Sequence, residues 1–182
     1  GTFTIQSKTF TFSTTLLTNL PNAPYLALVP NSSATTTLVE TGSTQFKLNY
    51  NISQAGSISG GSIVLDNPAT TAIELGNLSA QSQFTFGFSG PTNAKIKLEF
   101  EDVLGAKSSA TLTALTSATQ YYTVSKALFT GLDWTRIKRI NFIVDSTLGN
   151  PLSGTITIQA KTFTFSTVLA TNLPANPKVG VL

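Results

Sequence analysis

Residues 94–102 have the sequence AKIKLEFED, and their alternation decides the fold class. Ile96, Leu98 and Phe100 fall on one side of an extended chain. Lysine and glutamate side chains alternate with them on the other side. A period of two is the pattern of a β-strand with one buried and one solvated face. The segment therefore predicts an antiparallel sheet that packs on a core through one face.

Similar short segments lie on both sides of this strand, and turn signals separate them. The sequence predicts about nine or ten strands at roughly even spacing, which is typical of an antiparallel β-sandwich of the jelly-roll type. The Gly60-Gly61 pair is interpreted as a turn that precedes one of these strands. The main predicted strands are STQFKLNYNIS, GSIVLD, SQFTFGFSG, SSATLTAL, QYYTVS, RIKRINFIVD and GTITIQAK.

The composition excludes several classes of function. The 182 residues include only 10% charged residues and carry a net charge of +3, with no Cys, His or Met. Without Cys there are no disulfides, and without His the commonest general base is missing. Glu99 and Glu101 share a strand face with lysines, which indicates a solvated face rather than a glycosidase pair. The sequence also lacks a basic stripe for nucleic acid and an apolar stretch of membrane-spanning length, so we expect a protein that is not an enzyme, binds no nucleic acid and has no membrane span.

The two ends of the chain repeat one another. Residues 1–24 align with residues 154–177 at an offset of 153 (154 minus 1), and 18 of the 24 pairs are identical. A period of this length corresponds to a whole domain. We interpret the chain as one unit of a tandem array, and two pseudo-symmetric strands within one closed domain are the alternative.

The array interpretation divides the chain into four segments. Residues 1–14 are the terminal strand of the preceding repeat, and residues 15–40 are a connector that contains Pro21, Pro24 and Pro30. The apolar segment PYLALV inside this connector either adds an edge strand or packs onto a domain face. Residues 41–167 form the jelly-roll sandwich. Residues 168–182 begin the connector into the next repeat.

The repeated segment KTFTFST is the predicted junction between units. Alternation breaks at Lys161-Thr162, so either a β-bulge lies there or the chain leaves its sheet. In the second case its phenylalanines would pack against the neighbouring unit. The junction residues predicted in this way are Phe10, Phe12, Phe163 and Phe165.

Four segments in order resemble a known class of domain. KIKLEFEDVLGAKSSATLTAL, QYYTVS, LDWTRIKRINFIVD and GTITIQ are similar to the jelly-roll, galactose-binding-like domains found among carbohydrate-binding modules. The resemblance covers about residues 60–160. Tandem domains of this kind occur in very large bacterial surface proteins, so the resemblance implies an extracellular or cell-surface location, in bacteria.

The resemblance also implies candidate site residues. Such modules hold sugars with exposed aromatic side chains, which here gives Trp134, Tyr121 and Tyr122 as possible glycan contacts, with core packing as the alternative for Trp134. Many also carry a structural calcium ion, and no other cofactor is expected. The oxygen ligands that calcium needs could come from Asp66, Glu101, Asp102, Asp133 and Asp145.

Two functional hypotheses follow. The first is a structural repeat of an extracellular filament, stalk or adhesin-like array, with neighbouring copies of itself as partners. The second is a carbohydrate-binding or adhesive module with glycans as partners.

Overall fold

The computed structural model describes residues 25–41, 45–52, 54, 56–65 and 76–159. In this part of the chain ten strands form two five-stranded sheets, and every strand pair is antiparallel. Sheet I has the order β1 (Tyr25–Leu28), β4 (Ile58–Val64), β9 (Ile137–Asp145), β6 (Ile96–Asp102), β7 (Lys107–Leu112). Sheet II has the order β2 (Thr37–Glu40), β3 (Gln45–Asn51), β10 (Ser153–Gln159), β5 (Gln83–Ser89), β8 (Gln120–Ser125).

The predicted antiparallel β-sandwich is confirmed. Ile96, Leu98 and Phe100 of β6 are fully buried and face the core, as their alternation indicates. Phenylalanine side chains from both sheets fill the space between them. The ring of Phe142 on β9 lies 5.7, 5.3 and 5.9 Å from those of Phe46, Phe86 and Phe88. These rings supply the apolar area that holds the two sheets together.

The interpretation of Gly60-Gly61 as a turn is wrong, because β4 runs straight through both residues. A Cβ on Gly60 would lie 2.7 Å from Val29 Cγ2 and 2.8 Å from the Phe142 carbonyl oxygen. A Cβ on Gly61 would lie 2.6 Å from Leu38 Cδ2. The two glycines are needed here because neighbouring groups approach the strand closely on both of its faces.

The connector assigned to residues 15–40 needs correction in its second half. Residues 25–28 form β1 and residues 37–40 form β2, which are edge strands of sheets I and II. β1 is the edge strand that PYLALV left open as an alternative, whereas β2 was not predicted. The remaining boundaries lie outside the described residues, as do Phe10, Phe12, Phe163 and Phe165, so the junction stays a prediction.

The last strand in sequence is central in its sheet. β10 pairs with β3 over seven residues and with β5 over three. Ile156 and Ile158 point into the core and are fully buried. At the start of the strand, a Cβ on Gly154 would lie 2.8 Å from Pro91 Cγ and 2.9 Å from the Tyr50 hydroxyl. β10 therefore joins the two halves of sheet II.

Candidate functional site

The outer face of sheet II is nearly uncharged and carries mainly amide and hydroxyl groups, together with the exposed Val39 of β2 opposite Lys47. Its polar residues are called here the polar face. Strand registers place its residues side by side, and their side chains are exposed or half-exposed. Lys47 is its one charged residue among the described positions. The polar face consists of Thr37, Gln45, Lys47, Asn49, Thr85, Tyr121, Thr123, Thr155, Thr157 and Gln159.

One row of hydrogen bonds crosses this face from β8 to β3. The Tyr121 hydroxyl donates to Gln159 Oε1 at 2.6 Å, and Gln159 Nε2 donates to Gln45 Oε1 at 3.3 Å. Gly87 lies beneath the first of these contacts. A Cβ there would be 3.1 Å from both Tyr121 Cε1 and Gln159 Oε1. The missing side chain lets the tyrosine ring and the amide lie close over the sheet.

A second row lies toward the β2 edge. The Thr155 hydroxyl donates to Asn49 Oδ1 at 2.8 Å, and Asn49 Nδ2 donates to the Thr37 hydroxyl at 3.0 Å. The ammonium of Lys47 and the hydroxyl of Thr157 lie between the two rows and have no partner among the described residues. The two rows fix their amides in place and leave these two groups available to a ligand.

The polar face can bind hydroxyl-rich molecules. Amides and hydroxyls both donate and accept hydrogen bonds, and an aromatic ring offers an apolar surface beside them. Burial raises the pKa of Tyr121, so its hydroxyl remains a donor at neutral pH. Five strands give a surface about 20 Å wide.

Tyr122 points to the opposite side of β8, as alternation requires. Its ring packs 5.8 Å from that of Phe88, and its hydroxyl lies 3.1 Å from Gln120 Oε1 and 3.3 Å from the Thr113 carbonyl. Burial raises the pKa of Tyr122 as well. Of the two adjacent tyrosines, Tyr121 alone belongs to the polar face.

Trp134 lies at the rim of the core. Its ring stacks on Phe84 at 5.4 Å and contacts Phe100 at 5.1 Å, and the Lys126 ammonium lies 5.6 Å from its centroid. The indole is partly buried against the core, and Phe84 covers one of its faces. Glycan contact by Trp134 and Tyr122 stays a prediction that this geometry does not favour.

The carboxylates predicted to hold calcium do not converge in the part of the chain described here. Asp102 accepts backbone N–H groups of Leu104, Ala106 and Asp133 at 2.9 to 3.0 Å. Asp145 lies at the far end of β9, about 27 Å from the Ile137 that pairs with Asp102.

The other two described candidates are also engaged. Asp133 bonds Arg136 at 2.7 Å, and Glu101 pairs with Lys107 at 3.5 Å. Asp66 lies outside the described residues, and no group of three candidate ligands occurs within them. The described carboxylates thus do not fit a calcium site.

Solved structures were found that share this fold, although no protein-family profile and no curated protein matches the chain. A family 11 carbohydrate-binding module of a cellulosomal cellulase from Clostridium thermocellum is 14% identical, with a TM-score of 0.51 over 74% of this chain and 83% of that one. An exo-beta-agarase is also 14% identical, with a TM-score of 0.53 over 79% of this chain.

The chain spans about a quarter (24%) of the agarase chain. These likenesses show that the fold is the jelly-roll β-sandwich seen in carbohydrate-binding modules, which confirms the resemblance in fold. No helix among the described residues is long and apolar enough to cross a membrane.

Most residues of the polar face were not predicted from the sequence. Gln45, Asn49, Thr155 and Gln159 alternate with buried residues in QFKLNYN and GTITIQ, so their outward direction could be inferred. The proximity of these side chains could not be inferred, because it depends on which strands are neighbours in sheet II. Tyr121 was predicted as a glycan contact, and the structure places it beside them.

Proposed function

We propose that this chain is a non-catalytic glycan-binding module and that the polar face is its binding surface. The observation that carries the proposal is the row Tyr121–Gln159–Gln45 on an exposed sheet. It combines an aromatic ring with fixed amides and carries no carboxylate. The fold supports the proposal, since domains with the same fold include a carbohydrate-binding module.

Sugar recognition needs hydrogen bonds together with an apolar contact. A pyranose presents hydroxyls around its edge and C–H groups on its faces, and the polar face offers a complement to both. Lys47 adds three donors at the centre. Because the amides are held by neighbours, little side-chain entropy remains to be lost on binding.

The predicted solvated face of Glu99 and Glu101 in sheet I is wrong, because their side chains are only 13% and 12% exposed. Glu99 accepts a hydrogen bond from Asn141 Nδ2 at 3.0 Å and lies 4.0 Å from the Lys107 ammonium. Glu101 lies 3.5 Å from the same ammonium. Both carboxylates are on the outer face of the other sheet, away from the polar face.

The proposal is tested by isothermal titration with cello- and agaro-oligosaccharides. We expect one of these classes to bind and Tyr121→Ala to weaken it about tenfold or more, which corresponds to about 1.4 kcal/mol. Tyr121→Phe keeps the ring and loses only the hydroxyl, so its effect should be smaller. Thr111→Ala, on the edge strand of sheet I, is the control that should leave affinity unchanged.

Two outcomes would contradict this proposal. The first is that neither oligosaccharide class binds the intact chain at millimolar concentration. The second is that Tyr121→Ala, with its fold verified by circular dichroism, binds as well as the unaltered chain.

A second candidate function is a structural unit of an extracellular or bacterial cell-surface array, in a filament, stalk or adhesin. It rests on the repeat of residues 1–24 at 154–177. The units would join through KTFTFST, with Phe10, Phe12, Phe163 and Phe165 at the junction and neighbouring copies as partners. A glycan-binding unit could also occur in such an array.

Electron microscopy of native material, with the intact mass of its protein, tests the array. Long fibres in which one chain spans several periods of 153 residues would support a covalent array. Fibres of short chains would indicate non-covalent assembly. Compact monomers would contradict a structural role.

A further inference from the structure

We propose that residues 1–6 are a second β10 sequence, able to take the place between β3 and β5 in a sandwich of this kind. The partner surface is the pair of facing edges that β10 joins in sheet II. This inference does not depend on glycan binding. It rests on what the β10 position demands and on how residues 1–6 meet each demand.

The first demand is a glycine at the start of the strand. Tyr50 and Pro91 approach Gly154 so closely that a Cβ would lie within 3 Å of both. Gly1 occupies the matching position in the N-terminal copy. A side chain larger than hydrogen at this point would push against a buried tyrosine, so the match is a steric requirement.

The second demand is a pair of large apolar side chains on the core face. Ile156 and Ile158 meet it in β10, and both are fully buried. Phe3 and Ile5 stand in the same two positions. Phe3 is bulkier than Ile156, whose Cγ1 is 3.1 Å from the site of a Cβ on Gly90. We therefore expect the C-terminal copy to be preferred when both are intact.

The third demand is the set of polar groups on the outer face. Thr155, Thr157 and Gln159 are matched by the same residue types in the same order, which are Thr2, Thr4 and Gln6. The N-terminal copy could thus make the bonds to Asn49, Gln45 and Tyr121 that β10 makes. Each outward position that hydrogen-bonds across the sheet is identical in the two copies.

The reach of the chain allows two sources of the strand. Residues 7–24 number 18 (24 minus 7, plus 1) and can span up to about 60 Å when extended. Residues 1–6 could therefore enter the sandwich of their own chain or that of a second copy. Loss of β10 would leave two unpaired strand edges facing each other, which is a strong template for an added strand.

Three variants of the full chain test the proposal. Ile156→Asp with Ile158→Asp disables the C-terminal copy, Phe3→Asp with Ile5→Asp disables the N-terminal copy, and the third variant carries all four changes. We expect the N-terminal variant to melt like the unaltered chain, the C-terminal variant to stay folded with a lower Tm, and the fourfold variant to be unfolded. Circular dichroism measures the melting.

An engineered disulfide tests whether residue 4 takes the position of Thr157 beside β3. The chain has no cysteine, and Lys47 lies directly opposite Thr157 across the β3–β10 pair. Thr4→Cys with Lys47→Cys should form a disulfide in the C-terminal variant, since opposed residues on neighbouring strands have suitable spacing. Thr4→Cys with Thr111→Cys, on the other sheet, is the control that should stay reduced. A cross-linked monomer would indicate insertion within one chain, and a cross-linked dimer would indicate exchange between copies.

A C-terminal variant as unfolded as the fourfold variant would overturn the proposal if Gly154→Val were unfolded as well. The milder Gly154→Val, which blocks the β10 position sterically and adds no charge, then decides whether the aspartates were at fault, since it too should stay folded and cross-link. If neither variant forms the disulfide between positions 4 and 47, residues 1–6 do not take this place. A fourfold variant that remains folded would show that neither copy is needed, which also overturns it.

Discussion

At the scale of single residues, three aromatic side chains that look equivalent in the sequence have different surroundings. Tyr121 lies on the polar face and donates to Gln159, while Tyr122 packs against Phe88. Trp134 stacks on Phe84 beneath the Lys126 ammonium. One residue of displacement along a strand therefore separates a candidate binding residue from a packing residue.

Trp134 should matter for stability and not for glycan binding. Trp134→Ala removes a ring that packs on Phe84, Phe100 and Phe129, and we expect it to lower the free energy of unfolding by about 3 kcal/mol. Urea denaturation measures the loss. Trp134→Phe, which keeps an aromatic ring, is the matched control and should lose less. Unchanged stability in Trp134→Ala would contradict a packing role.

At the scale of elements, the adjacent glycines Gly60 and Gly61 of β4 are constrained by different neighbours. A Cβ on Gly60 would meet a backbone carbonyl oxygen of β9, whereas a Cβ on Gly61 would meet the tip of the Leu38 side chain. A carbonyl in a sheet cannot move without breaking the ladder, but a leucine tip can change rotamer. The two positions should therefore tolerate a methyl group differently.

Gly60→Ala should destabilise the sandwich more than Gly61→Ala. Overpacking costs roughly 1–3 kcal/mol, and we expect Gly60→Ala near the top of that range and Gly61→Ala near the bottom. Thermal melts of the two variants under one set of conditions make the comparison. Equal losses, or a larger loss for Gly61→Ala, would show that backbone contact is not the deciding factor.

The long strands could be predicted from the sequence, but the order of the strands within each sheet could not. IKLEFE alternates over six residues, which is enough to predict a strand from the sequence alone. β2, with four residues TLVE, was not predicted, and β1 was predicted only as one alternative for PYLALV. The polar face requires Gln45, Gln159 and Tyr121 to be neighbours although they are far apart in sequence. Local periodicity holds no information about such pairing.

At the scale of the whole molecule, two aspartates make the sandwich sensitive to acid. Hydrogen bonds from Thr135 and Arg136 lower the pKa of Asp133. Burial raises the pKa of Asp145, but the bonds from Thr147 and the charge of Lys97 outweigh it, so that this pKa is also lowered. Asp145 is the last residue of β9, the central strand of sheet I, and Asp133 lies in the turn before that strand begins.

Stability should therefore fall as the pH drops below about 4. The unfolded chain takes up protons at these carboxylates first, so their contribution is present above the unfolded pKa and lost as the pH falls through the folded value. Urea denaturation at about pH 6 and about pH 3, above and below the unfolded pKa, measures the change. The double variant Asp133→Asn, Asp145→Asn should show a smaller difference between the two pH values, and an identical difference would exclude these residues as the cause.

The central position of β10 also bears on the order in which the molecule can be made. Until residue 159 has left the ribosome, and unless residues 1–6 fill the β10 place, sheet II can form only as two separate halves, β2–β3 and β5–β8, each with an open edge. Pairs such as Gln45 with Gln159 close a loop of more than a hundred residues, so folding should be slow and should finish in one late step. During synthesis the nascent chain thus carries two unpaired strand edges. Ribosomes that follow one another on one messenger RNA would bring such edges of neighbouring nascent chains close together.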